Sequence, residues 1–168
     1  MDLAEFNVLA LAKAEAVLLD CCGSVRWAKS VVAQRPYADV TALCAAADAV
    51  WRNLDPADWL EAIRRHPQIG ERAPSGSEAS RRWSEGEQAG VRSAAENTME
   101  RMAGGNRAYR EKFGYIFLVC ATGKSVEEML AILGERLHND PGRELNIAAE
   151  QQRLITRLRL EKLLAHKP

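Results

Sequence analysis

"FGYIFLVCA", residues 113–121, is the stretch whose reading decides the fold. It is an unbroken apolar run with aromatic and branched side chains. Taken alone it suits a buried strand or a buried helical stretch, and periodicity does not separate the two. No other segment reads as a strand. A lone strand cannot make a sheet, because its main-chain N–H and C=O groups need partners in a second strand. The fold class is therefore all-α: a single-domain helical bundle over residues 1–168 with one irregular apolar strip at about 113–121. A non-helical apolar strip has a chemical consequence, since its main-chain amides can bond a flat, amide-rich ligand directly.

Outward from the strip the signals are helical. "SVEEMLAILGERLH" (125–138) opens on a Ser125-x-x-Glu128 capping box, then runs Met129, Ile132, Leu133, Arg136 and Leu137 along one stripe. "NDPG" (139–142) is a turn by composition, and a long helical pattern follows from Arg143 to about Ala165. Its apolar face is expected to carry Ala148, Gln151, Leu154, Ile155 and Leu158. On the N-terminal side, "DPADWLEAIRRH" (55–66) has Asp55 as N-cap and Pro56 at the first helical position. "ADVTALCAAADAVWRNL" (38–54) is helical, as is most of 3–34, with Pro36 breaking the pattern.

The 168 residues suit one hydrophobic core, and 47% apolar with 27% charged is ordinary for a soluble globular chain. Lysine plus arginine equals aspartate plus glutamate at 23 each, so no global field favours nucleic acid or an anionic membrane. The N-terminus lacks the basic start and uncharged run of a signal peptide, and no stretch approaches the roughly 18 apolar residues of a membrane span. The expectation is a cytoplasmic protein. Cys21, Cys22, Cys44 and Cys120 have no CxxC spacing and read as reduced, mostly buried thiols. His66, His138 and His166 have no metal-ligand spacing, so no metal is expected.

Three places carry side chains suited to chemistry. His66 shares a helix face with Trp59, Ala62 and Ile63, while Arg64 and Arg65 point away. Pro67 disfavours helical backbone at His66, so the helix stops at or before it. The imidazole is then held at the rim of the core, where it can exchange protons near neutrality or simply stack on Trp59. In "SEGEQAGV" (84–91), Ser84 and Glu87 form a capping box if a helix begins there. If the helix runs through, Ser84, Glu87 and Gln88 instead face inward and suit a polar heterocycle. Arg159 falls one turn after Ile155, and inward it can meet a carboxylate. "ATGKS" (121–125) is not a phosphate loop, since Leu118 stands where the pattern needs glycine.

Taken in order, "HPQIG" (66–70), "SEGEQAGV" (84–91), "NRAYREKFGYIFLVCATGKS" (106–125), "ERLHND" (135–140) and "EQQRLITRLRL" (150–160) form one pattern. It resembles the 2-oxo-4-hydroxy-4-carboxy-5-ureidoimidazoline (OHCU) decarboxylase family, over nearly the whole chain. Departures are local: Gln68 stands where many members carry aspartate, and Ile116 where many carry proline. The resemblance implies an all-α enzyme of urate breakdown that converts OHCU to (S)-allantoin and CO2 without cofactor. By position it implies that His66 is the catalytic proton donor and Glu87 the catalytic carboxylate. Pro67, Ser84, Glu85, Gly86, Glu87, Gln88, the strip Phe117, Leu118, Val119, Cys120 and Ala121, and the inward Arg159 would contact substrate. It also implies a homodimer. The C-terminal "LLAHKP" lacks a peroxisomal address, which fits the bacterial cytosol. Two other readings stand beside this one: a non-catalytic helical interaction module, and a decarboxylase of a related ureido acid.

Overall fold

The structure is a computed structural model that describes residues 1–67 and 96–165. Among the described residues there are eight α-helices and no strand, so the all-α expectation holds. None of these helices is long and apolar enough to cross a membrane. The chain divides into two compact units, Met1–Ala62 with Arg153–Pro168, and Ile63–Gln152.

The first unit begins with α1 (Leu3–Val8), α2 (Leu11–Cys22) and α3 (Val25–Val32). Residues 3–34, expected to be mostly helical, are thus three helices, and local chemistry makes the breaks. Asp2 and Glu5 form a capping box at the start of α1. Arg35 takes up the carbonyls at its far end, donating from Nη1 to Phe6 O at 2.7 Å and to Leu9 O at 2.8 Å. Gly23 closes α2 in the left-handed region at φ 86°, and Ser24 then caps α3 by accepting from the Trp27 N–H. Next come α4 (Val40–Arg52), capped by Asp39, and α5 (Pro56–Arg64). Trp27 is fully buried and donates from Nε1 to Ala47 O at 3.1 Å, which ties α3 to α4 inside an apolar core with Phe6, Leu18 and Leu43. Each such large apolar side chain contributes roughly 1.5–3 kcal/mol on burial.

In the second unit, α6 (Glu96–Phe113) packs against α7 (Val126–Arg136). Gly105 permits the close approach, because a Cβ there would lie 2.5 Å from Leu133 Cδ2. At Phe113 the helix ends; Gly114 turns left-handed at φ 79° and Gly123 does so again at φ 77°. Between these glycines the chain is neither helix nor strand, yet Tyr115 to Cys120 are all buried. The 113–121 run is an irregular strip, as the sequence required. Tyr109 anchors it, with Phe113, Phe117 and Tyr115 rings at 4.6, 5.4 and 5.8 Å. Ser125 and Glu128 then form the expected capping box of α7.

The last helix, α8 (Pro141–Leu164), starts two residues earlier than the sequence pattern placed it. "NDPG" is its cap: Asp140 accepts from the Arg143 N–H at 2.9 Å, and Pro141 takes the first helical position. The buried face is also rotated from the expected one. Ala148, Gln152, Ile155, Thr156, Arg159 and Leu160 are buried, whereas Gln151, Leu154 and Leu158 are half-buried. Counting apolar residues chose the wrong phase because the interior here receives polar side chains.

Candidate active site

Helix α5 ends at Arg64, and the His66 N–H closes the last turn on Ile63 O at 3.1 Å. Pro67 follows, half-buried. Arg64 and Arg65 are exposed, while His66 is 8% exposed, so the chain does turn the imidazole inward. Its Nε2 lies 2.7 Å from Oε1 of Gln152, which is wholly buried. The preceding residue, Gln151, accepts at Oε1 from the Cys120 N–H at 2.9 Å. Two consecutive side chains of α8 therefore fasten the imidazole and the apolar strip.

The strip is held at further points. Arg136 Nη1 donates to Leu118 O at 2.7 Å, Lys124 Nζ to Cys120 O at 3.0 Å, and the Lys124 N–H to Ala121 O at 3.0 Å. Arg136 is itself buried against Glu144, with Nη2 at 2.6 Å and Nε at 2.7 Å from the same carboxylate oxygen. Glu144 is fully buried; it also accepts from the Tyr109 hydroxyl and, at 2.7 Å, from Asn139 Nδ2. Burial, and then the bond to Glu144, hold the Tyr109 hydroxyl far above the usual phenol range. Among the described residues, the main-chain N–H and C=O of Phe117 and Val119 have no hydrogen-bond partner. In a strip this deeply buried, those amides are the groups suited to hold a ligand.

Arg159 belongs to the first unit and is 5% exposed, so it is inward as the family resemblance implied. Its Nη1 donates to Cys21 O, in the last turn of α2, at 3.4 Å. Burial pushes the Cys22 thiol up to about 12, against hydrogen bonds from Ser24 and Thr156 and the positive charge of Arg159. Cys21 is raised still further by burial, opposed here by the charge of Arg159. All four cysteines are free and buried, as expected. Among the described residues no three His, Cys, Asp or Glu side chains gather as a metal site would need. Ser84, Glu85, Gly86, Glu87 and Gln88 lie outside the described residues.

The structure adds Gln151, Gln152 and Arg136 to the residues singled out by sequence. Gln152 had a signal: a polar residue three before Ile155 and seven before Arg159 shares their helix face.

Comparison with known proteins fixes the relationship. The family model described as OHCU decarboxylase matches residues 7–161. The chain belongs to the OHCU decarboxylase family. It is 38% identical over 149 residues to the Arabidopsis thaliana uric acid degradation bifunctional protein TTL, covering 88% of this chain and 46% of that protein. The chain thus spans about half of that plant relative. It is 32% identical over 138 residues to the 2-oxo-4-hydroxy-4-carboxy-5-ureidoimidazoline decarboxylase of Amia calva, covering 82% of this chain and 79% of that one. Among solved structures, an OHCU decarboxylase crystallised in the presence of (S)-allantoin superposes with a TM-score of 0.75 at 35% identity. That superposition covers 88% of this chain and 96% of that one.

Proposed function

We propose that this chain decarboxylates OHCU to (S)-allantoin, as a carboxy-lyase of urate breakdown, with residues 1–168 acting as one catalytic domain. The observation that carries the reading is the pair of adjacent glutamines on α8, one on the His66 ring and one on the strip. Family membership supports an enzyme over an interaction module.

The chemistry explains why so few groups are needed. In the substrate, the carbon bearing carboxylate and hydroxyl adjoins a C=N bond. When the bond to the carboxylate breaks, its electron pair passes into that C=N bond and CO2 leaves. The nitrogen of that bond takes a proton, the hydroxyl gives up its own as its carbon becomes the ring carbonyl, and the ureido-bearing carbon takes a proton. Starting from the carboxylate, one proton is consumed overall. The substrate supplies its own electron sink, so the protein's tasks are orientation and proton delivery to one face.

His66 is the proton donor in this reading, and Glu87 orients it. Pro67, Ser84, Glu85, Gly86, Gln88 and the main chain of Phe117, Leu118, Val119, Cys120 and Ala121 fix the ring. Within the strip, the amides of Val119 and Phe117 do the binding, since Leu118 O, Cys120 N–H and O, and Ala121 O are engaged elsewhere. Arg159 anchors the leaving carboxylate or polarises a carbonyl. We further propose a cytoplasmic homodimer, which light scattering of the purified chain reads directly.

The experiment generates OHCU in place from urate by oxidation and hydrolysis, then follows (S)-allantoin by circular dichroism. His66→Ala is expected to lower turnover by about 10²–10⁴-fold, the range of a positioned acid or base. Wild-type rate and handedness in that variant would end the assignment.

A further inference from the structure

We infer that Gln151 is a positioning residue that, by holding the Cys120 N–H, aims the Val119 carbonyl at a ring N–H of the substrate. The inference rests on the reading of the strip as the main-chain cradle of the substrate. It starts from the peptide bond. In a planar trans peptide unit, the C=O of one residue and the N–H of the next point in opposite directions. Among the described residues the only cis unit is Arg35–Pro36, so the units of the strip are trans. Holding one end of a unit therefore aims the other.

Three consecutive units are held in this way. Arg136 Nη1 donates to Leu118 O at 2.7 Å, Gln151 Oε1 accepts from the Cys120 N–H at 2.9 Å, and Lys124 Nζ donates to Cys120 O at 3.0 Å. The opposite ends of these units are the Val119 N–H, the Val119 C=O and the Ala121 N–H. None of the three has a partner among the described residues. Arg136 is paired with Glu144 of α8, and Gln151 is itself on α8, so the first two bonds run toward that helix. The N–H and C=O of Val119 then face away from it together. A donor and an acceptor side by side match the C=O and N–H that share one edge of a cyclic amide. The 2-oxo ring of OHCU carries such an edge next to the carbon that loses CO2. Without an acceptor at position 151 the 119–120 unit can turn, and the Val119 carbonyl loses its aim. Gln151 thus acts through the strip, on how tightly the ring is held.

The test uses the full-length, ¹⁵N-labelled chain, with (S)-allantoin as the binding probe and OHCU generated in place for turnover. In the wild type the Cys120 N–H should exchange slowly with heavy water, and (S)-allantoin should shift the Val119 and Ala121 N–H signals more than that of Cys120. Gln151→Leu should speed Cys120 exchange and weaken (S)-allantoin binding, each by about tenfold, the scale of one hydrogen bond. Its kcat/KM should fall by a similar factor, mainly through KM, as loss of ground-state binding requires. Gln151→Glu keeps an acceptor and should recover most of the lost affinity. Gln151→Asn, one methylene too short, should match the leucine variant and replaces it if that chain does not fold. Unchanged (S)-allantoin affinity in the leucine or asparagine variant, or a loss that Gln151→Glu does not recover, would overturn the inference. If the wild type binds (S)-allantoin but forms none from OHCU, the proposed reaction falls while the binding series still decides Gln151. If the wild type does not bind it at all, the cradle and the inference fall together.

Discussion

Arg136 and Arg159 are two arginines sunk to nearly the same depth, 6% and 5% exposed, and both donate to the main-chain carbonyl of another element. What surrounds them differs. Arg136 has the Glu144 carboxylate at 2.6 Å and holds Leu118 O at 2.7 Å, so its charge is neutralised and its fork is built into the strip's support. Arg159 reaches Cys21 O at 3.4 Å, beside the C-terminal end of α2, where the helix dipole favours a cation. The Cys21 carbonyl fixes where the guanidinium sits. Burial alone therefore does not tell what a buried arginine does; under the proposed function Arg136 supports the strip and Arg159 meets substrate.

The largest effect expected from this contrast is Arg136→Met. It strands Glu144, which is fully buried, without its counter-charge. Removing one member of a buried ion pair costs about 3–5 kcal/mol, and urea unfolding reads it directly. A loss near zero would mean that Tyr109 and Asn139 satisfy Glu144 by themselves, and the contrast between the arginines would break.

Arg159→Met should behave the other way. Stability is expected to fall less than in Arg136→Met, while kcat/KM for allantoin formation falls by about 10²-fold, the scale of losing one preorganised donor. The two measurements must be made on the same preparation, since only their ratio separates the roles. Equal destabilisation with unchanged kcat/KM would place Arg159 beside Arg136 as architecture.

How much of this was legible in the sequence follows from the range of each interaction. Pro56 opening α5 and the Ser125–Glu128 box opening α7 were readable because caps act within one turn. His66 facing inward with Arg64 and Arg65 outward followed from helical spacing, whereas the inward Arg159 came from the family resemblance alone. The Arg136–Glu144 pair was not readable. Its members stand eight residues apart across a helix break, and such spacing has no local signature. The rotated face of α8 was misread for a related reason: Gln152, Thr156 and Arg159 look like a solvated stripe until a buried imidazole and a helix end supply their partners. Apolar periodicity locates a core and misses a polar interior, which is where a site of this kind lies.

The smallest expected effect sharpens the comparison through pH. Cys22, beside Arg159, has its thiol raised from 9.0 to about 12, first by burial. Tyr109, beside Arg136, has its hydroxyl raised above 10.0 by burial and then by Glu144. Each is an acid whose protonated form is favoured in the fold, so the unfolded chain releases its proton first as pH rises. The stability each contributes is therefore complete below its unfolded value and is lost as pH climbs toward the folded one. Urea unfolding should be flat up to about pH 9 and weaken steadily toward about 12. Cys22→Ala should make that decline shallower and leave the rest, to which Cys21 and Tyr109 contribute. If Arg159 lends its charge to the thiols as its position implies, Arg159→Met should begin the decline at no lower pH than wild type and extend it further. An earlier onset in that variant would mean that the guanidinium and the thiols do not share one electrostatic environment.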